Sequence, residues 1–266
     1  MTITSSTPKL RIDLAHGVAR LLIDNGAKRN AFDLDMWRAL PPLMAAIDAE
    51  PDVRVVVISG ASGLPFCSGA DISEFSTVRA TSAGGRAYEE ANVDAFHAIS
   101  RCAKPTVAAI SGFCMGGGIG IAAVCDLRVA REGTVFGVPA GRLGVGYPPS
   151  AMRYVVAAVG AQRAMEMFFT ARRLTAKEAL DIGFLSRLLE QETFEGGVDD
   201  LAATIAANAP LTLRAAKAAI RAAAQLPNAP TPEECEALAA QCFDSADYME
   251  GRAAFLEKRT PKFTGR

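Results

Sequence analysis

Three consecutive glycines, Gly116, Gly117 and Gly118, stand between a β-branched and apolar run, Thr106–Ile110, and a small, apolar run, Ile119–Val124. Glycine is a poor helix former, so a triplet at the mouth of an apolar helix needs another reason. Backbone there must approach something closely and turn bare N–H groups toward it. A helix start carries partial positive charge, and the guest that suits it is an oxygen that is, or becomes, negative. Thr106–Ile110, preceded by Pro105, reads as a buried strand.

A second stretch repeats this layout. Val53–Ile58 reads as a buried strand, Ser59-Gly60-Ala61-Ser62-Gly63 turns the chain, and Phe66-Cys67-Ser68-Gly69-Ala70-Asp71-Ile72 follows. Two backbone donors facing one oxygen would form an oxyanion hole, in which a single donor is worth about 10²–10³ in rate. Tight helix–strand packing is the plainer explanation of the glycines. Gly118-x-Gly120-x-x-Ala123 also fits a dinucleotide fingerprint formally. It lacks an acidic residue after a following strand, and the extra glycines fit it poorly.

The 266 residues suit one large domain, or one domain with an appendage, and half of them are hydrophobic, enough for a sizeable core. A net charge of −1 without a long basic run disfavours nucleic-acid binding. The six cysteines show no CxxC spacing, and His16 and His97 complete no metal cluster, so no metal site is expected. No signal pattern opens the chain and no uninterrupted apolar run reaches about 18 residues. The expectation is a reduced, cytoplasmic protein with no membrane partner.

In chain order, Leu10–Asp24 reads as a hairpin turned at His16-Gly17, and Asp33 as the N-cap of a helix to about Glu50, interrupted near Pro41-Pro42. Strand and helix alternating suggests parallel βαβ units. Residues 76–86 read as a mobile loop and Tyr88–Arg101 as a helix. Ala151–Val159 and Gln162–Thr170 read as two helices, and 193–208, 211–225, 231–246 and 248–258 as a strandless helical tail. The expected division is therefore 1–192 as an α/β core and 193–266 as a helical C-terminal region.

Taken together and in this order, several segments resemble the enoyl-CoA hydratase/isomerase (crotonase) family. They are Asn30-Ala31-Phe32, Phe66 to Ile72, Lys104 to Gly112, Gly116-Gly117-Gly118, Cys125-Asp126, Phe136-Gly137-Val138-Pro139, Leu143-Gly144 and Ala254 to Arg259. The resemblance spans essentially the whole chain. It implies an α/β ββα spiral with a C-terminal helical region for trimer contacts, and homotrimers or dimers of trimers. It also implies an acyl-CoA thioester as substrate, with coenzyme A part of that substrate and no tightly bound cofactor. Matched residue by residue, the oxyanion donors are the amides of Ser68 and Gly117. The CoA contacts would be Lys28, Arg29, Ala31, Ala70, Asp71 and Ile72, with Phe255, Lys258 and Phe263 of the tail, the latter from an adjacent subunit or a folded-back helix.

One departure shapes the expected chemistry. The family's hydratases use two glutamates, at the positions that are Gly120 and Ala140 here. Neither side chain moves a proton, and a positioned acid or base is worth about 10²–10⁴ in rate. Decarboxylase, lyase or isomerase chemistry is therefore expected ahead of plain hydration. Leu143-Gly144-Val145-Gly146-Tyr147 resembles a segment of the family's methylmalonyl-CoA decarboxylases, which makes Tyr147 a catalytic candidate. A hydratase with a relocated base, drawn from Glu74, Glu89 or Glu90, and a catalytically silent CoA-binding subunit are the alternatives. Asp71 and Asp126 read as structural more readily than as catalytic, Arg142 as a solvated loop cation, and His97 as a half-buried helix residue.

Overall fold

The computed structural model describes residues 3–266. In chain order the elements are β1 (Leu10–Ala15), β2 (Val18–Ile23), α1 (Leu34–Ala49), β3 (Val55–Gly60), α2 (Ser82–Arg101), β4 (Thr106–Ile110), β5 (Phe113–Met115) and α3 (Gly117–Val124). They continue with β6 (Leu127–Arg131), β7 (Val135–Gly137), α4 (Ala140–Leu143), α5 (Pro149–Thr170), β8 (Leu174–Thr175), α6 (Ala176–Asp181) and β9 (Arg187–Leu189). Helices α7 (Phe194–Ala206), α8 (Pro210–Ala223), α9 (Pro232–Phe243) and α10 (Ala246–Glu257) complete the chain.

The β1–β2 hairpin turns at His16-Gly17, with Leu10 opposite Ile23. From β2 onward the large sheet is parallel, in the order β1-β2-β3-β4-β6-β9. A second, three-stranded sheet has the order β5-β7-β8. The chain advances as repeated turns of long strand, short strand and helix: β4–β5–α3, then β6–β7–α4. Ser111-Gly112 makes the first of these bends, where Gly112 takes a φ of 69°.

The central strands are apolar on both faces because each face is covered. Alternation divides them: Val56, Ile58, Ala108 and Ile110 point into the main core with Trp37, Phe66 and Phe96. Val55, Val57, Val107, Ala109 and Val129 point the other way, against Phe194, Val198 and Leu201 of α7. The helical tail thus supplies the lid of a second core, and β3 and β4 read as continuous hydrophobic runs for that reason.

Two local expectations need correction, and a third is met. Helix α1 runs unbroken through Pro41 and Pro42. Both prolines lie away from its buried face, which carries Leu40, Leu43, Met44 and Ile47, and that burial outweighs the lost backbone bonds. Helix α2 begins at Ser82, not near Tyr88, because the Thr81 side chain accepts from the Gly84 amide at 3.1 Å and caps a first turn that Gly84 and Gly85 disguise. The two helices expected over 151–159 and 162–170 are present within α5, separated where Gly160 leaves helical geometry (φ 79°, ψ 161°).

Asp126 is structural, as expected. It accepts from the Thr106 amide at 2.8 Å and hydroxyl at 2.9 Å and pairs with Lys217 at 2.6 Å, joining β4, α3 and α8. The end of the chain is fastened by buried Asp247, which accepts from the amides of Thr264 at 2.6 Å and Gly265 at 2.8 Å.

Candidate active site

The segment after β3 and the segment after β4 run side by side. Cys67 pairs with Cys114 in a parallel bridge: the Cys67 amide donates to the Phe113 carbonyl at 2.9 Å, and Met115 donates back to the Cys67 carbonyl at 2.9 Å. One residue past the bridge on the first strand is Ser68; three past it on the second is Gly117, the first residue of α3. Between them the Gly116 amide is used, donating to Gly137 at 2.9 Å. The amides of Ser68 and Gly117 donate to no acceptor among the described residues. Both residues are part-exposed. These are two open N–H groups on neighbouring backbone segments, one of them at a helix N-terminus.

Glycine is demanded here by space and by angle. Gly116 adopts φ 50°, ψ −111°, which turns the chain into α3. A Cβ on Gly118 would stand 2.8 Å from Cys67 Cβ, and one on Gly117 would stand 2.9 Å from the Trp37 ring. The triplet therefore serves both readings at once: close packing and exposed donors.

Trp37 sets the floor. Its indole N–H donates to Tyr88 at 2.9 Å, and the Tyr88 hydroxyl donates to the Phe32 carbonyl at 3.1 Å. This chain links α1, α2 and the strand-like loop that carries Ala31. Burial pushes the Tyr88 phenol above its ordinary range. The Cys67 thiol, fully buried beside Ser68, is pushed up to about 12 by the same cause.

Phe96 occupies the place where a side chain on residue 120 would go. An ideal Cβ on Gly120 would lie 2.3 Å from its ring. Ala140 is buried at the start of α4, with its carbonyl accepting from Val145 at 3.2 Å.

Tyr147 reaches the site. Its hydroxyl comes to 3.5 Å from the Cβ position of Gly116, its ring packs on Phe168 at 5.1 Å, and the hydroxyl has no hydrogen-bond partner among the described residues. Burial, then the nearby charge of Glu89, pushes its phenol up to about 12, so it is a proton donor and not an anion at neutral pH. It forms one wall of a cleft of about 900 Å³ together with Phe75, Arg79, Glu89, Val93 and Leu143. A separate apolar cavity of about 440 Å³ between α5 and α8 contains none of these groups.

The expected CoA residues divide into two places. The first group is together: Phe32 pairs with Ala70, the Phe32 amide donates to Gly69 and Asp71 donates to Phe32, each at 2.8 Å. Ser68 Oγ donates to the Lys28 carbonyl at 3.1 Å, and Lys28 Nζ lies 3.8 Å from Asp71. Ile72, 69% exposed, points outward. Asp71 acts as a cap, accepting from the Ser73 amide at 2.9 Å and hydroxyl at 2.7 Å. These bonds and Lys28 hold its carboxyl below the usual range against the opposing effect of burial, which is the largest single influence.

Arg29 and Asn30 both take left-handed backbone, with φ of 52° and 58°. Asn30 tolerates it because its side chain is fully used: Oδ1 accepts from Asn25 at 2.7 Å, and Nδ2 donates to Ile23 at 2.8 Å and Pro65 at 2.6 Å. Asn30→Ala leaves these three groups, two of them buried, without their partner and is expected to cost about 3 kcal/mol, read as a lower urea midpoint at unchanged m. A midpoint like that of the unaltered protein would show that the loop is held by other contacts.

The tail residues lie elsewhere in the chain's fold. The Phe263 carbonyl accepts from Arg54 at 2.6 Å, just before β3, whereas Ser68 follows the opposite end of that strand. Phe255 is 84% exposed on α10, and Lys258, in left-handed conformation at its end, has no ion pair among the described residues. Arg142 is exposed and unpaired among the described residues, and His97 is half-buried with its ring 6.1 Å from Tyr154. Sequence reasoning missed the Trp37–Tyr88 link and the Phe96 plug. Both join residues tens of positions apart, and no spacing signals them.

The chain thus presents a parallel ββα spiral with two unengaged amides beside a glycine-rich helix start. The chain belongs to the enoyl-CoA hydratase/isomerase family, whose profile matches residues 13–266. It is 29% identical to the peroxisomal Δ(3,5)-Δ(2,4)-dienoyl-CoA isomerase of Arabidopsis thaliana, over 96% of this chain and 95% of that one. It is 30% identical to the short-chain-enoyl-CoA hydratase of Clostridium acetobutylicum, over 91% and 92%. Among solved structures, an enoyl-CoA hydratase/isomerase family protein from Hyphomonas neptunium superposes with a TM-score of 0.91 at 40% identity, covering 99% of this chain and 100% of that one. An enoyl-CoA hydratase/carnithine racemase from Magnetospirillum magneticum gives 0.92 at 32% identity, covering 98% and 97%. The crotonase fold is thereby established, and the family acts on CoA thioesters. No helix among the described residues is long and apolar enough to cross a membrane.

Proposed function

We propose that this chain binds an acyl-CoA thioester and stabilises its enolate oxygen with the amides of Ser68 and Gly117, and that its reaction is not plain hydration. The unengaged state of those two amides carries the reading: around them the amides of Cys67, Gly69, Met115 and Gly116 each donate inside the protein. Charge that develops on the thioester oxygen would find donors already in place. Tyr147 adds a neutral hydroxyl on the same side.

Water addition needs a group to activate water and one to deliver a proton. Gly120 and Ala140 supply neither, and Phe96 fills the first position. Decarboxylation, lyase or isomerase chemistry needs the enolate site without that pair. Lys28, Arg29, Ala31, Ala70, Asp71 and Ile72 would hold the CoA moiety. Phe255, Lys258 and Phe263 would reach it from a neighbouring subunit, given their distance within the protomer. The exposed Phe243, Met249, Phe255 and Leu256 of α9 and α10 suit trimer contacts, and light scattering that returned a monomer at micromolar concentration would remove this element.

A panel of CoA esters tests the function: crotonyl-CoA, a 3-enoyl-CoA and malonyl-type esters, with binding measured beside turnover. Binding of all three classes is expected, with turnover of 3-enoyl- or malonyl-type esters. Failure to bind any of them sinks the thioester site; hydration of crotonyl-CoA as the fastest reaction sinks the exclusion of water addition.

A further inference from the structure

We propose that Glu89 of α2 is the proton-transferring base of this site, fixed by Arg79, and that the reaction it serves is a 1,3-proton shift in an unsaturated acyl-CoA. The proposal rests on the enolate site described above and gives it a reaction class.

The placement follows from one face of α2. Phe96 points from it at Gly120, within α3. Seven residues earlier, two helical turns and about 10 Å along the axis, Glu89 lies on the same face. Tyr88, beside it, is tied to Trp37, whose ring edges Gly117. The face that plugs position 120 therefore climbs toward the start of α3, where the open amides are. Glu89 and Tyr147 line the same cleft, and the Tyr147 hydroxyl is next to Gly116.

The carboxylate is held like a working group. Arg79 donates to Oε1 at 3.1 Å, and no bond engages Oε2 among the described residues. Arg79 is itself clamped, with its guanidinium 4.5 Å from the Phe75 ring centre and 4.7 Å from that of Tyr88. Burial raises the Glu89 carboxyl, opposed by Arg79, so it is a stronger base than an exposed glutamate. The other candidates are occupied or turned away. Glu74 accepts from the Leu34 amide at 3.0 Å, and Glu90 is exposed, about 100° round the helix.

The step balances with one base. Glu89 takes a proton from the α-carbon of a 3-enoyl thioester; the C–H electron pair passes into a dienolate whose oxygen faces Ser68 and Gly117. The same proton returns from Glu89 to the γ-carbon, giving the 2-enoyl thioester and the free carboxylate. No water, oxidant or second base is consumed.

Two measurements test this. The first follows exchange of the α-protons of butyryl-CoA in D₂O by NMR, with isomerisation of 3-hexenoyl-CoA, in the intact protein and in Glu89→Gln. Exchange and isomerisation are expected in the former and at least about 100-fold slower in the latter, with Kd for butyryl-CoA changed less than about threefold. Exchange that survives in Glu89→Gln overturns the assignment. An intact protein that binds acyl-CoA yet neither exchanges nor isomerises overturns Glu89 and leaves the thioester site standing; one that binds no acyl-CoA overturns both. The second needs no variant. A 3-alkynoyl-CoA deprotonated at its α-carbon and reprotonated at γ becomes a 2,3-allenoyl thioester, whose β-carbon adds the carboxylate that made it. Peptide mapping is expected to find the adduct on Glu89, and an adduct on any other residue overturns the proposal.

Discussion

Ser68→Pro is expected to lower kcat/KM for the CoA ester by about 10²–10³, the loss of one main-chain oxyanion donor. Proline removes the amide hydrogen and leaves the carbonyl in place. The residue before it, Cys67, lies in extended backbone paired with Cys114, which is the conformation a following proline requires. Among the described residues, the only other bond lost is that of Ser68 Oγ to the Lys28 carbonyl. Ser68→Ala loses that bond too while keeping the amide, and is expected to remain within about threefold of the unaltered protein. The difference between the two variants isolates the N–H. Equal activity in both would mean that Ser68 does not contact the developing charge. Gly117→Pro is the poorer experiment, because any Cβ there meets Trp37.

Gly120→Glu should not turn the protein into a hydratase; it should destabilise it by about 3 kcal/mol or more. The added Cβ would sit 2.3 Å from the Phe96 ring, and the carboxylate would enter a site where Phe96 is 4% exposed. For a chain of this size that is roughly 6–12 °C in Tm. Phe96→Ala alone leaves a cavity and costs about 3–5 kcal/mol. Combined, the two changes should cost at least about 1 kcal/mol less than their sum, since each relieves the other's fault. Strict additivity, or a Gly120→Glu protein as stable as its parent, would show that the helix shifts freely and that the ring is no barrier.

Much of this site was legible in the chain because its parts are local. Val53–Ile58 and Thr106–Ile110 are buried on both faces, so their apolar runs stand out, and the glycines mark the bends that follow. The cap at Asp71 and the brace at Asp126 are also short-range patterns. What the chain hid was long-range or compensated. Pro41 and Pro42 look like a helix break, and only the packing of Leu40, Leu43 and Met44 overrules them. Thr81 opens α2 through two glycines that argue for a loop. The Arg79–Glu89 pair, the Trp37–Tyr88 bond and the ring of Phe96 against Gly120 depend on where α2 lies across α1 and α3, which no periodicity states.

Cys67 has a consequence for the chemistry beside it. Cys67 is one residue from Ser68 in the chain, yet its side chain is fully buried in the main core. Burial pushes its thiol up to about 12, leaving about one molecule in 10⁵ as thiolate at pH 7. Burial denies electrophiles and peroxide both a path to the sulfur and its thiolate form. A free thiol can therefore sit one residue from Ser68 without offering a nucleophile at the surface.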